Sequence, residues 1–181
     1  KPPVGQLNGL RVAVHYEIYD GIPLISKWIT IENKSGKTVR LNSFSSEVLR
    51  LVEGESNVDP SSEWILPNMP VVTDHSFGGM SVSSMRRAVF WDTDPEYTTQ
   101  VNYDLKTPCM LRVKAPLGPD IDLQDGRVFD SMRAFELLHD DYDRERRGLA
   151  ERRMYRTIAP WVTENPIMLH LTSIDPKVVH S

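Results

Sequence analysis

The sequence predicts a mainly β protein: an antiparallel two-sheet β-sandwich followed by one helix and the start of an α/β segment. Residues 1–140 hold several short runs in which apolar and polar residues alternate, separated by turn residues. Residues 141–160 have clear helical signals. Beyond them, an apolar run at 167–171 precedes Asp175-Pro176, a good start for a further helix. We therefore expect a sandwich domain over 1–140, a linker helix over 141–160 and a truncated α/β domain start over 161–181.

The first two strands are predicted to form a hairpin. Asp20-Gly21 supplies the turn, because glycine adopts positive φ without steric cost. The return strand lies around Trp28 and carries isoleucines on one phase. The first strand is apolar at alternate positions: Leu10, Val12, Val14, Tyr16 and Ile18.

The later strands are marked by shorter signals. A third strand over 39–52 would make the start of the chain a meander. Residues 53–80 contain three prolines and are expected to form loops, since proline cannot donate to a sheet ladder. Strands are expected again at 85–91, 98–105 and 109–115, with turns at 118–126. Residues 127–140 fit both helical and strand spacing, and the preceding Asp125-Gly126 turn favours a strand.

Composition excludes several classes of function. The 21 Lys and Arg against 25 Asp and Glu give a net charge of -4, which is not that of an evident polyanion binder. No apolar run approaches the roughly 18 residues that span a bilayer. Cys109 is the only cysteine, which excludes an internal disulfide and a Cys-rich zinc site. The five histidines lack metal-ligand spacing, and no P-loop, dinucleotide or G-x-S-x-G motif occurs, so neither metal nor cofactor is predicted.

The helix is unusually rich in arginine. Asp143 can cap its start, and Pro160 disfavours helical geometry at Ala159 and so ends it. At about 100° per residue, Ala150, Met154 and Ile158 share one narrow apolar stripe. A different face is basic and carries Arg146, Arg152, Arg153 and Arg156 around Leu149.

Two interpretations of the basic face stay open. It can be a solvated face with local ion pairs, such as Asp143–Arg147 or Asp140–Arg144 at i,i+4 spacing. It can also be a seam with another domain, because the arginine fork bonds several acceptors while its stem packs on apolar surface. A nucleic-acid interface is disfavoured, because residues 139–153 hold five acids against five arginines and no aromatic interleaving accompanies the basic face.

Several stretches resemble the α-galactosidase group of family 36-like glycoside hydrolases. FELLHDDYDRERRGLAERRMYRTIAPWVTENPIMLHL resembles the junction between the N-terminal sandwich and the catalytic barrel of that family. SFSSEVLRLVEGES, DHSFGGM and WDTDPEYTTQVNY are similar to its sandwich domain in bacterial members. The resemblance runs from about Leu10 to the end of the chain, and the junction is its most specific part.

The resemblance implies a galactose mutarotase-like β-supersandwich that supports a (β/α)8 barrel. Residues 167–171 would be the first barrel strand, and the family's two catalytic aspartates lie on later strands. The implied role of this chain is therefore non-catalytic, with the barrel of the same parent chain as partner and galactosides as ligands. The resemblance leaves open contacts between identical chains and implies neither a membrane nor a nucleic acid.

Carbohydrate binding is the alternative prediction. Aromatic faces beside amides and carboxylates suit sugars, and the stretch 91–103 supplies such groups. They are Trp91, Asp94, Tyr97, Gln100, Asn102 and Tyr103. The competing interpretation is an ordinary turn with its aromatic residues packed in the sandwich. A free-standing mutarotase-like enzyme is a third alternative, which requires a histidine and a carboxylate in one cleft.

A few further positions carry predictions. Trp161, His170 and Thr172 flank the expected barrel strand and would lie at the pocket edge of the parent enzyme, where His170 can equally be core packing. His75 precedes Gly78-Gly79, a pair that admits close approach of a ligand or forms a plain loop. Asn33-Lys34-Ser35 matches an N-glycosylation acceptor. The opening KPPVGQ lacks a Met and a signal peptide, as in a processed or excised product, and the compartment is left open.

Overall fold

A computed structural model describes residues 8–52, 60–61, 64–78, 82–96 and 104–161 of the chain. Ten strands and two helices occur in these residues, and every strand pairing is antiparallel. The strands are β1 Leu10–Ile18, β2 Leu24–Asn33, β3 Val39–Ser43, β4 Glu47–Arg50, β5 Val71–Thr73, β6 Val89–Thr93, β7 Pro108–Val113, β8 Pro119–Leu123, β9 Val128–Asp130 and β10 Ala134–Leu137. The helices are α1 Val82–Met85, continued by a 3₁₀ turn at Arg86–Ala88, and α2 Arg144–Ile158.

The strands form one large sheet and two smaller ones. The large sheet has the order β1-β2-β10-β5, and β9 pairs with the far end of β2. The second sheet has the order β4-β7-β6, and β3 pairs with β8. The mainly β, antiparallel architecture is consistent with a β-sandwich, as the sequence predicts.

The large sheet lies between two apolar cores. Successive side chains of a strand point to opposite faces of the sheet, and in β5 the side chains on both faces are buried. Val71 packs with Leu111 and Val113 of the second sheet, whereas Val72 packs with Met154 of α2. The result is three layers: the small sheet, the large sheet and the helix.

Helix α2 follows the sequence prediction closely. The Asp143 side chain accepts a hydrogen bond from Arg146 N at 2.8 Å, which makes it the N-cap, and Ala159 is the C-cap. The predicted stripe is confirmed: Met154 is buried, and Ala150 and Ile158 pack against the same core. The helix is held by this stripe, so its basic face points elsewhere.

Some predictions about the strands are wrong. The β1–β2 hairpin is confirmed, but the chain does not continue as a meander, because β2 pairs next with β10 and β9. The third strand is broken at Ser46, whose N–H bonds Val113 O at 2.9 Å and so starts the pairing of β4 with β7. The predicted turns at 118–126 include β8, which begins at Pro119, a position where a strand tolerates proline.

Residues 127–140 form the strands β9 and β10, which confirms the strand alternative. The expected strand at 85–91 is helical turn up to Ala88 and becomes β6 only at Val89. Most of the expected strand at 98–105 and all of the run at 167–171 lie outside the described residues.

Asn33 is a structural residue and not a glycan acceptor in this fold. Its side chain is fully buried, and Nδ2 donates to Lys37 O and Leu123 O, both at 2.7 Å. Its Oδ1 accepts from the N–H and hydroxyl of Ser35. All its hydrogen-bonding capacity pins the turn after β2, so the glycosylation motif is coincidental.

Candidate functional site

A cleft of about 500 Å³ lies between α2 and the segment 64–71. Three aromatic side chains line it, together with two guanidinium groups, one carboxylate and one amide among the described residues. They are Trp64, Trp91, Tyr142, Arg86, Arg147, Glu151 and Asn68. We call this the helix cleft.

One wall of the helix cleft is fixed by an extension of the β5–β10 pairing. Pro70 O accepts from Leu137 N at 3.1 Å, and Asn68 O accepts from His139 N at 3.2 Å. Asn68 Nδ2 then donates to Asp141 O at 2.7 Å. These bonds hold a proline-rich segment against the start of α2 although it forms no regular strand.

Three buried polar atoms on or near α2 have no partner among the described residues, and of their residues only Asn68 lines the helix cleft, whereas His139 lines a neighbouring cavity. Within the described part of the chain, Asn68 Oδ1, His139 Nε2 and the Tyr155 hydroxyl are buried and make no hydrogen bond. Burial lowers the pKa of His139, and the Arg147 charge lowers it further. Burial also raises the pKa of Tyr155, while the Arg86 charge opposes that shift. The helix cleft itself therefore combines aromatic faces with one buried acceptor, Asn68 Oδ1, that has no partner among the described residues.

Such a lining suits a polyhydroxylated ligand. The C–H face of a sugar stacks on indole or phenol rings, while guanidinium, amide and carboxylate groups bond its hydroxyls. Arg147 and Glu151 are four residues apart on α2, so both project toward the same side of the helix. Trp91 is half-buried and also packs against the core between the sheets.

The structure separates the two described members of the predicted sugar cluster. Trp91 lines the helix cleft, but Asp94 does not. Asp94 is 4% exposed, accepts from Glu96 N at 3.0 Å and lies 3.3 Å from Arg50 Nε. It organises the turn after β6, as the competing interpretation expects of that residue. The remaining predicted members, Tyr97, Gln100, Asn102 and Tyr103, lie outside the described residues.

The basic face of α2 divides into one paired arginine and three others. Arg146 bonds Asp140 at 2.7 Å and Asp141 at 2.9 Å. The expected Asp143–Arg147 and Asp140–Arg144 ion pairs do not form, because Asp143 is the cap and Asp140 turns to Arg146. Arg152, Arg153 and Arg156 make no ion pair with the described part of the chain.

Other predicted positions lie apart from the cleft. Trp161 is 60% exposed just past the helix, and His170 and Thr172 are outside the described residues. His75 packs edge-on against Phe77, and Gly78 has φ +89° with Arg87 so close that a side chain there would collide with it. The loop 74–78 is a turn with His75 exposed at the wall of a separate cavity of about 440 Å³, and Gly79 is outside the described residues.

A second group of charged residues lies between the large sheet and the β4-β7-β6 sheet. Glu47 of β4 bonds Lys27 of β2 at 2.7 Å, and Glu136 of β10 faces the same pair. Glu136 is 4% exposed, and its Oε1 has no hydrogen-bond partner among the described residues. Burial, followed by the nearby Glu47 carboxylate, raises the pKa of Glu136 to about 8. This group, Lys27, Glu47 and Glu136, is the buried acid cluster.

Sequence reasoning missed most of the helix cleft. Trp64 had a weak signal, since a tryptophan among prolines in EWILPN is unusual for a plain loop. The role of Arg86, Arg147 and Glu151 depends on long-range packing and had no local signal. The described residues contain no group of three or more His, Cys, Asp or Glu placed to hold a metal ion. None of the described helices is long and apolar enough to cross a membrane.

Comparison of the chain with protein-family models, with curated proteins and with solved structures found no match.

Proposed function

We propose that this chain is the non-catalytic sandwich domain of an α-galactosidase-like glycoside hydrolase and that it supports the catalytic barrel through α2. The observation that carries the proposal is the outer face of the helix. One stripe of α2 is packed on the sheet, while Arg152, Arg153 and Arg156 have no ion-pair partner in the described part of the chain.

Exposed apolar groups accompany these arginines. Leu149 is 63% exposed on α2 and Trp161 is 60% exposed just beyond it. Arginine with exposed Leu and Trp is a composition typical of protein–protein contacts, where Arg and aromatic residues are enriched. A merely solvated helix face needs neither the leucine nor the tryptophan.

The test uses the full-length polypeptide and the chain 1–181 alone, with p-nitrophenyl α-galactoside as substrate. We expect the full-length protein to release p-nitrophenol and the chain 1–181 to release none. Replacing Arg152, Arg153 and Arg156 together by Glu should lower the thermal stability or activity of the full-length protein but leave 1–181 folded. Arg127→Glu, an exposed arginine on the sandwich, is the matched control. Hydrolysis by 1–181 alone, or no effect of the triple change, would contradict the proposal.

The helix cleft favours a second candidate, a carbohydrate-binding module. Isothermal titration of 1–181 with galactose and raffinose tests it. Saturable binding that is lost in Trp64→Ala and kept in Trp161→Ala would support sugar binding in the cleft. Heat signals that do not saturate would leave the supporting role as the function of this chain.

A further inference from the structure

Strand β1 exposes a continuous apolar row at the edge of the large sheet. Val12, Val14, Tyr16 and Ile18 are 59%, 51%, 65% and 78% exposed, respectively. Monomeric proteins seldom expose a contiguous apolar patch without a use for it. The row shares its face with Lys27 and Ala134, but the core between the sheets lies over β5 and β10 and leaves β1 uncovered.

The same residues also present free backbone groups. Ile29 uses its N–H and C=O toward Ser131, on the side away from β1. In an antiparallel pair, a residue and its direct partner either exchange both bonds or both point away. Val14 is the partner of Ile29, so its N–H and C=O point to the outer edge. Asn33 bonds Arg127 and Gly126 in the same way, which places the groups of its partner Leu10 outward too.

Backbone N–H and C=O groups point to alternate sides along a strand, so every second residue of β1 directs both groups to the outer edge. These residues are Leu10, Val12, Val14, Tyr16 and Ile18. Among the described residues, this edge lacks two of the usual protections of an edge strand, a bulge and a proline, and its charged side chains Arg11 and Glu17 lie on the face opposite the apolar row. The pairing of β1 with β2 runs over the full strand without a bulge, and β1 contains neither proline nor glycine. A long, regularly paired, apolar edge strand of this kind is a template for another strand.

We propose that β1 pairs antiparallel with β1 of a second copy of this chain, about a two-fold axis at Val14. The large sheet would then continue across the dimer. Val14 would face its own copy, Val12 would face Tyr16 of the second copy, and Leu10 would face Ile18 of the second copy. Each of these pairs exchanges both backbone hydrogen bonds, because their groups point outward.

Charge complementarity favours a second copy as the occupant. Arg11 and Glu17 stand three residues on either side of Val14, so the two-fold axis brings each opposite the other in the second copy. Arg11 lies 3.4 Å from Glu32 and Glu17 lies 2.9 Å from Arg133 of the same chain, yet their side chains stay 72% and 45% exposed on the face opposite the apolar row. Moving the axis to Val12 or Tyr16 shortens the pairing and sets Arg11 opposite Ala13 or Glu17 opposite His15.

This inference is independent of the proposed support of a barrel, since β1 and α2 are different surfaces. The experiment measures the dissociation constant of the dimer by sedimentation velocity over a concentration series. Arg11→Glu and Glu17→Arg should each weaken the dimer about tenfold, because two like-charged pairs form per dimer. The double swap, and an equimolar mixture of the two single variants, should restore wild-type association.

Val14→Lys should give a monomer, and Arg127→Glu is the control that should leave association unchanged. Circular dichroism verifies that each variant is folded. Val14→Cys should form a disulfide-linked dimer under mild oxidation, since paired strands place opposite Cα atoms within disulfide reach. The native Cys109 is buried and does not compete. A monomeric wild type, open-ended aggregation, or no rescue by the double swap would overturn the proposal and assign the edge to a different strand.

Discussion

At the scale of single residues, Glu136 carries a carboxyl group into the buried space between two sheets. A carboxylate there would lie beside the Glu47 carboxylate, and the single Lys27 ammonium cannot neutralise both charges. Holding one proton on Glu136 removes that repulsion, because an isolated buried charge costs far more than a neutral acid. The folded protein therefore keeps a proton at neutral pH that the unfolded chain releases.

The sign of the resulting pH dependence follows from this proton. The unfolded carboxyl ionises near its ordinary pKa of 4.5, whereas the folded one has a pKa of about 8. Between these values the folded state binds more protons, so the contribution to the free energy of unfolding falls as pH rises from 4.5 to 8. Glu136→Gln keeps the shape of the protonated acid. We expect its free energy of unfolding to exceed that of the wild type by about 4 kcal/mol at pH 8 and to match it near pH 4.5.

Urea unfolding at several pH values measures this difference. Glu145→Gln, an exposed carboxylate in the first turn of α2, is the control and should run parallel to the wild type. Equal pH profiles for Glu136→Gln and the wild type would show that the buried acid cluster is ionised like a surface group.

At the scale of elements, α2 shows how far local sequence signals determine structure. A cap satisfies backbone N–H groups that have no partner in the first turn of a helix. Asp143 does this for Arg146 N. Asp143→Ala should lower the free energy of unfolding by about 1 kcal/mol, whereas Asp143→Asn keeps the acceptor and should cost only a few tenths. Denaturant titration separates the two, and an equal loss in both variants would point to charge and not to capping.

Those signals predict α2 and the β1–β2 hairpin because the causes are close in sequence: a cap, a stripe at helical spacing, a turn glycine. The pairing of β4 with β7 and of β3 with β8 has no such cause. Glu47 and Val113 are partners across the chain, and nothing near either residue indicates the other. The helix cleft could not be predicted for the same reason, since Trp64 and Glu151 line one cavity through the long-range pairing of β5 with β10.

The exposure of a strand face likewise cannot be predicted from the alternation of apolar and polar residues. The apolar residues of β1 alternate as they would in any half-buried strand, and they are exposed because the second sheet does not extend over β1. Ion pairing could not be predicted from spacing either. Asp143 and Arg147 are four residues apart, which allows an ion pair, but the Asp143 carboxylate accepts the hydrogen bond from Arg146 N that caps the helix.

At the scale of the whole molecule, the large sheet is stabilised from both faces, which gives α2 a larger role than that of a linker. Met154 is 1% exposed among Leu24, Val72 and Leu137, so the helix closes the apolar core between the large sheet and α2. Met154→Ala should lower the free energy of unfolding by about 2–5 kcal/mol, through lost transfer energy and the cavity left behind.

The form of the unfolding curve distinguishes an integral layer from a linker. If α2 is a layer, Met154→Ala shifts one cooperative transition, seen alike by tryptophan fluorescence and by circular dichroism. Amide exchange should then quicken in β10 as well as in the helix, because both face the cavity. Leu149→Ala, on the exposed side of the same helix, should shift the curve by less than about 0.5 kcal/mol. The three-layer interpretation would be contradicted if the helix of Met154→Ala unfolded first and left the sheet unchanged. The stability of the large sheet would then not depend on α2.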